Sequence, residues 1–216
     1  MDLRELAPVE LEKGGHASSA EGLCAMEAVA LLEGTEHGAR PECTCPVIAA
    51  FVRRANDRLP DDQRQRLVPF VPRLVDTVGS DGEQARADWA VWQVFAVALP
   101  DAVSTVGAPE LARSMRAVPI YDWEAALKVG TWVGSTMAEI DPTASRAVAW
   151  ACEAVSWARA GALEWAAAGA ASAAAWSAQA VDNPEAWDHM FRILEGMLVV
   201  GPGTADAASL ELADAI

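Results

Sequence analysis

The stretch DPTASRAVAWACEAVSWARAGALEWAAAGAASAAAWSAQAV, residues 141–181, settles the architecture. Asp141 followed by Pro142 has the form of a helix N-cap with proline at the first helical position, and beyond it alanine dominates. Alanine has the best intrinsic helix propensity and lets neighbouring backbones approach closely. Trp150, Trp157, Trp165 and Trp176 recur at steps of seven, eight and eleven residues. At about 100° per residue the four indoles fall within an arc of roughly 100°. The spacing predicts one long helix with a tryptophan-striped face, wrapped by others. Core packing is the structural meaning of such a stripe, and a stacking surface for a ligand or partner is the functional one.

No segment shows the period-two alternation of a half-buried strand, so the class is all-α, a helical bundle around that alanine-rich helix. A first helix spans about Glu21 to Glu33 and ends at Gly34. Thr44 caps a second, with Pro46 in its first turn and Val47, Ile48, Phe51 and Val52 as apolar contacts. Pro60 starts a third, broken at Pro69 and Pro72. A fourth begins at Asp81, carries Trp89, Trp92 and Phe95, and stops at Pro100. Asp122 caps a fifth, whose Gly130 and Gly134 invite close packing, and Asn183-Pro184 opens the last. The expected layout is an N-terminal helical appendage over residues 1–80, its first 20 residues loosely held, then a bundle over 81–200. Residues 201–216 are read as a flexible acidic tail.

Among 216 residues, 31 acids face 16 bases, a formal charge of −15 that disfavours direct binding to nucleic acid or an anionic membrane and favours a basic partner. Trp165 to Val181 is the best membrane-span candidate, but its alanine, glycine and serine suit a packed helix better. The charged start, Met1 to Lys13, lacks the apolar run of a secretory signal, so a cytoplasmic protein with free thiols is expected. Arg53, Arg54, Arg58, Arg64, Arg66 and Arg73 form a basic concentration, expected to pair with the chain's own acidic C-terminal half or else to dock an acidic partner.

The densest reactive set is His16, Cys24, Glu27, His37, Cys43 and Cys45. Thiolates and imidazoles in that number suit zinc, with His37, Cys43 and Cys45 in one loop and Cys24 or His16 as a fourth ligand. Cys43 and Cys45 are separated by one residue, however, where the usual knuckle has two. Cys24 with His16 or His37 is the alternative nucleophile and base. Glu27, on an otherwise apolar face, must pair, reach water or change its pKa, and Arg53 or Arg54 are its expected partners. The common nucleotide and hydrolase motifs are absent from the sequence.

The run from Glu21 through Cys24, Met26 and Glu27, then His37, Pro41, Cys43, Pro46 to Phe51, and Asn56-Asp57 to Asp62, resembles an uncharacterised family of actinobacterial and actinophage proteins with alanine-rich C-terminal helices. That resemblance makes Cys24, Met26, Glu27, His37, Cys43, Asn56 and Asp57 the motif positions, leaves Cys45 outside the pattern, and implies no activity. The alanine-rich half is loosely similar to immunity-protein-like helical domains, which implies binding. The expectation is therefore a non-enzymatic acidic binding protein, with or without self-association. A thiol- or zinc-dependent enzyme, a zinc-stabilised domain, a DNA-mimicking inhibitor and an assembly protein are the alternatives.

Overall fold

The computed structural model describes residues 9–78 and 82–200, and these form an all-α bundle with no strand. The start of the expected arm, the Asp81 helix start and the acidic tail 201–216 lie outside the described residues. The order is α1 (Ala25–Glu33), α2 (Pro46–Arg58), α3 (Asp61–Arg64), a 3-10 segment (Gln65–Phe70), α4 (Val71–Leu74), α5 (Glu83–Gln93), a π-turn (Val94–Ala98) and α6 (Leu99–Thr105). There follow α7 (Pro109–Arg116), α8 (Trp123–Ile140), α9 (Pro142–Arg159), α10 (Leu163–Val181), a 3-10 turn (Pro184–Trp187) and α11 (Asp188–Val199).

The single helix expected over 141–181 is two helices, α9 and α10, folded back on each other. Gly161 has φ +73°, the left-handed conformation that costs glycine nothing. Its N–H donates to Ala158 O (3.1 Å) and that of Ala162 donates to Trp157 O (2.9 Å), the paired bonds of a Schellman motif. Pure alanine propensity would carry the helix through this point. The lone Gly161, a C′ signal inside a strongly helical run, stops it.

Helix α10 is the axis of the molecule. It packs on α9, α2, α5, α6 and the π-turn, and alanines, Gly169, Ser172 and Ser177 are buried around most of its circumference. A helix apolar on all sides must be covered on all sides. Its small side chains let backbones approach, while bulk is supplied from outside by residues such as Phe51, Ile48, Phe95 and Leu99. A Cβ on Gly169 would come within 2.9 Å of the Trp157 ring, which measures how closely α9 lies on α10. Both buried serines donate to the carbonyl four residues back, Ser172 to Ala168 (3.0 Å) and Ser177 to Ala173 (2.9 Å), so neither hydroxyl is left unsatisfied.

Local signals place the other elements. Asp122, Asp141 and Asn183 accept N–H bonds from Ala125 (3.0 Å), Ala144 (2.7 Å) and Glu185 (3.0 Å), as N-caps should. Gly130 and Gly134 seat α9, with Cys152 Sγ 2.6 Å and a Val148 methyl 3.3 Å from where their Cβ atoms would be. Pro100, expected to end a helix, does not: it occupies the first turn of α6, and the π-turn before it absorbs the missing N–H donor. Residues 9–78, read from the sequence as an appendage, contribute α2 to the common core that runs from Leu11 to Val200.

The closest fit joins α5 to α11. The Trp89 indole lies over Gly196 and donates from Nε1 to Ile193 O (3.2 Å), and a Cβ on Gly196 would fall 2.1 Å from that nitrogen. Gly196→Ala is expected to lower unfolding free energy by about 2 kcal/mol or more, whereas Gly38→Ala, with open space around it, should stay within about 0.5 kcal/mol. Urea unfolding of the two variants checks this, and equal midpoints would refute the contact.

Candidate functional site

The N-terminal residues expected to be reactive build instead a buried polar network. Glu27 is 2% exposed and sits at the third position of α1, where its Oε2 accepts the Cys24 N–H (2.8 Å). Cys24 is the N-cap, so the pair is a capping box with a thiol in place of the usual hydroxyl. Oε1 accepts the His16 N–H (2.8 Å), and His16 Nδ1 lies 2.8 Å from Oε2. His37 Nε2 lies 2.9 Å from the His16 carbonyl, which only accepts, so that nitrogen carries the proton. Burial pushes the Glu27 pKa up, but hydrogen bonds from the Cys24 and His16 N–H groups and the His16 ring outweigh it and hold the carboxyl below its ordinary value.

The expected pairing of Glu27 with Arg53 or Arg54 is therefore not made: His16 and two backbone amides take their place. Asn56 and Asp57 belong to the same construction. Asn56 is buried, accepts the Ala25 N–H through Oδ1 (3.1 Å) and donates to Glu12 O (2.8 Å), while Asp57 accepts the Gly14 N–H (3.0 Å). Gln65 pairs with both backbone groups of Leu11, at 2.9 Å each. The strap from Leu11 to Cys24, expected to be loose up to residue 20 and helical from Glu21, is instead non-helical and bolted to α1, α2 and the 3-10 segment by side chains that replace a partner strand.

The zinc set Cys24, His37, Cys43 and Cys45 is not brought together. Among the described residues no three His, Cys, Asp or Glu side chains are arranged to hold a metal ion. Cys45 is the buried N-cap of α2, in the place expected for Thr44, whose hydroxyl instead donates to Leu74 O (3.1 Å). The Cys24 thiol is pushed up to about 11, first by burial and further by the Glu27 charge, and neither imidazole hydrogen-bonds to it. It is held as a thiol, the opposite of what a nucleophile needs.

The outer side of α2 faces a different environment. Arg53, Arg54 and Asp57 join Arg40 from the preceding loop and Glu164 and Trp165 from the first turn of α10 around a groove of about 560 Å³. Glu164 Oε2 stands between two guanidinium groups, 3.8 Å from Arg53 Nη2 and 4.0 Å from Arg40 Nη1. Arg53 also donates to Ala39 O (3.2 Å). Burial first and the Arg40 charge second pull the Arg53 pKa down, the mark of a desolvated cation with too little compensation. Trp165, 63% exposed, stands at the rim. Its ring lies 6.0 Å from Trp157, which lies 6.3 Å from Trp150, so three of the four indoles form a run across the α9–α10 hairpin. Trp176 lies instead under Arg58 and Arg146, at 5.5 and 4.6 Å.

Sequence reasoning missed this groove because Arg40 stands outside the arginine concentration and Trp165 meets α2 only after the chain reverses at Gly161. The glycine was the available signal. Other arginines of the concentration are spent on the protein itself: Arg66 pairs with Asp188 (2.7 Å), Arg73 with Glu195 (2.6 Å), and buried Arg64 donates to Asn56 O and Leu59 O (2.8 Å each). Comparison of the chain with protein-family models, with curated proteins and with solved structures finds no match.

Two outcomes follow from the network. Because the folded-state pKa of Glu27 is depressed, its stabilisation is complete above the ordinary value of 4.5 and is lost as pH falls through the lower folded value. Glu27→Gln is expected to cost about 2–4 kcal/mol near neutrality and to flatten the acid limb of stability against pH, read by chemical denaturation at a series of pH values. Maleimide labelling of the native protein at neutral pH should modify half-buried Cys43 first. Cys24 and Cys45 are expected to react only on unfolding, and early labelling of Cys24 would refute its sequestration.

Proposed function

We propose that this is a non-enzymatic, acidic helical binding protein that works by protein–protein interaction, its surface carboxylates selecting a basic partner. One observation carries the reading: among the described residues several cations are spent on the protein itself, whereas many exposed carboxylates are not. Arg64, Arg66, Arg73, Arg116 and Lys128 each meet a carboxylate, and Arg86 donates to the carbonyls of Val200 and Thr77. Exposed Glu33, Glu36, Glu42, Glu139 and Glu153 meet no cation among the described residues. The negative field of a chain carrying −15 is thus presented outward, where it steers a cationic partner and repels nucleic acid.

Exposed Trp132 and Ile140 on α8, at 50% and 49%, add apolar anchors of the kind that carry binding energy within a charged rim. No helix among the described residues is long and apolar enough to cross a membrane. Cytoplasmic placement, a phage or actinobacterial source and self-association belong to the proposal. The cysteine-centred enzyme has less in its favour, since Cys24 is held protonated and both nearby imidazoles are engaged.

The test is capture by the full chain at low salt, followed by reconstitution with the purified captured protein. A basic partner forming a stoichiometric complex is expected, its association slowing as salt rises and on the charge reversals Glu139→Lys and Glu153→Lys. A complex indifferent to salt and to both reversals would overturn the reading.

A further inference from the structure

From the groove between α2 and the start of α10 we infer a second, independent site: it binds a small ligand that carries a phosphate or carboxylate beside a flat ring. The volume, about 560 Å³, lies in the range of small-molecule sites, roughly 300–1,000 Å³. Three arginines and two carboxylates line it, a local positive excess on a strongly negative chain.

The protein supplies its own standard for arginines with a structural task. Arg66, Arg73 and Arg116 touch their carboxylates at 2.6–2.7 Å, and Arg73 does so through two parallel bonds to Glu195. At the groove, Arg40 and Arg53 share one Glu164 oxygen at 4.0 and 3.8 Å, beyond the reach of a charge-assisted hydrogen bond. Arg54 meets no carboxylate among the described residues. Guanidinium groups left with unspent donors around a concavity suit a planar or tetrahedral oxyanion, which takes two N–H bonds at once.

The ring is called for by Trp165. An indole 63% exposed forfeits the burial that normally justifies it, yet this one is set at the rim and backed by Trp157 at 6.0 Å. A flat group stacking there would lie beside the arginines, while Asp57 and Glu164 offer acceptors for its N–H or O–H groups. The surrounding carboxylates oppose any anion at long range, so retention falls to these short contacts, and an anion without a ring is held more weakly.

Calorimetric titration of the full chain decides it, with adenosine monophosphate and indole-3-acetate as phosphate and carboxylate probes, and inorganic phosphate, acetate and adenosine as their fragments. At least one ring-bearing anion is expected to bind about tenfold or more tighter than its ringless fragment, the range of one stacking contact. Trp165→Ala should erase that advantage, Arg40→Ala with Arg54→Ala should weaken binding about tenfold or more, and Arg113→Ala, on α7, should change nothing. Circular dichroism and melting confirm that these surface variants are folded. Absence of binding by both ring-bearing probes, or binding that the Trp165 and double arginine variants leave intact, overturns the site. Preference for one probe assigns the oxyanion.

Discussion

Everything in this bundle rests on how closely backbones can approach α10. An interior helix of leucines would hold its neighbours apart and take up the space that Phe51, Phe95 and Leu99 fill from outside. Alanine reverses that division of labour, since each contributes little apolar area but allows α9, α2 and α5 to pack on the rod at short range. The gain is in dense dispersion contact rather than in burial per residue. The same close spacing explains the glycines that receive side chains, Gly169 under Trp157, Gly130 under Cys152 and Gly196 under Trp89. Each is a place where one methyl group is more than the interface can hold.

Around that apolar axis the N-terminal region is assembled by polar groups. The strap from Leu11 to Cys24 has few apolar anchors besides Leu11 and Leu23, and its backbone groups find partners in Glu27, Asn56, Asp57 and Gln65. Burying a carboxylate is costly unless its lone pairs are used, and Glu27 uses them on two amides and an imidazole. The network therefore fixes the path of the strap and the start of α1 together. It also accounts for chemistry that the residue types suggested and the geometry does not support, because the imidazoles and the thiol are occupied as fasteners.

Charge is distributed in two ways. Arg64, Arg66, Arg73, Arg86 and Arg116 are consumed by carboxylates or carbonyls of the protein itself, while the groove beside α2 gathers three arginines that are less fully engaged. There three guanidinium groups face an opening with an exposed indole at its edge. The acidic surface and the cationic groove carry opposite charge. They lie on one molecule without conflict because screening limits the general field to about 8–10 Å, while hydrogen bonding acts at contact.

The helical class, the central place of the alanine-rich segment, the caps at Asp122, Asp141 and Asn183 and the seats at Gly130 and Gly134 were legible in the sequence, because each is signalled by residues within a turn or two of one another. The π-turn before Pro100 was not, since proline marks a break in the hydrogen-bond ladder without saying how neighbours will repair it. The candidate site was legible only in its parts. Arg53 and Arg54 were visible as charge, and Trp165 as a member of a stripe. That they face one groove follows from the reversal at Gly161, which lays α10 against α2. The tertiary structure alone also decided that Glu27 would meet His16 rather than Arg53. Side-chain partnership is a matter of distance in space, and the chain determines that only after its backbones have packed.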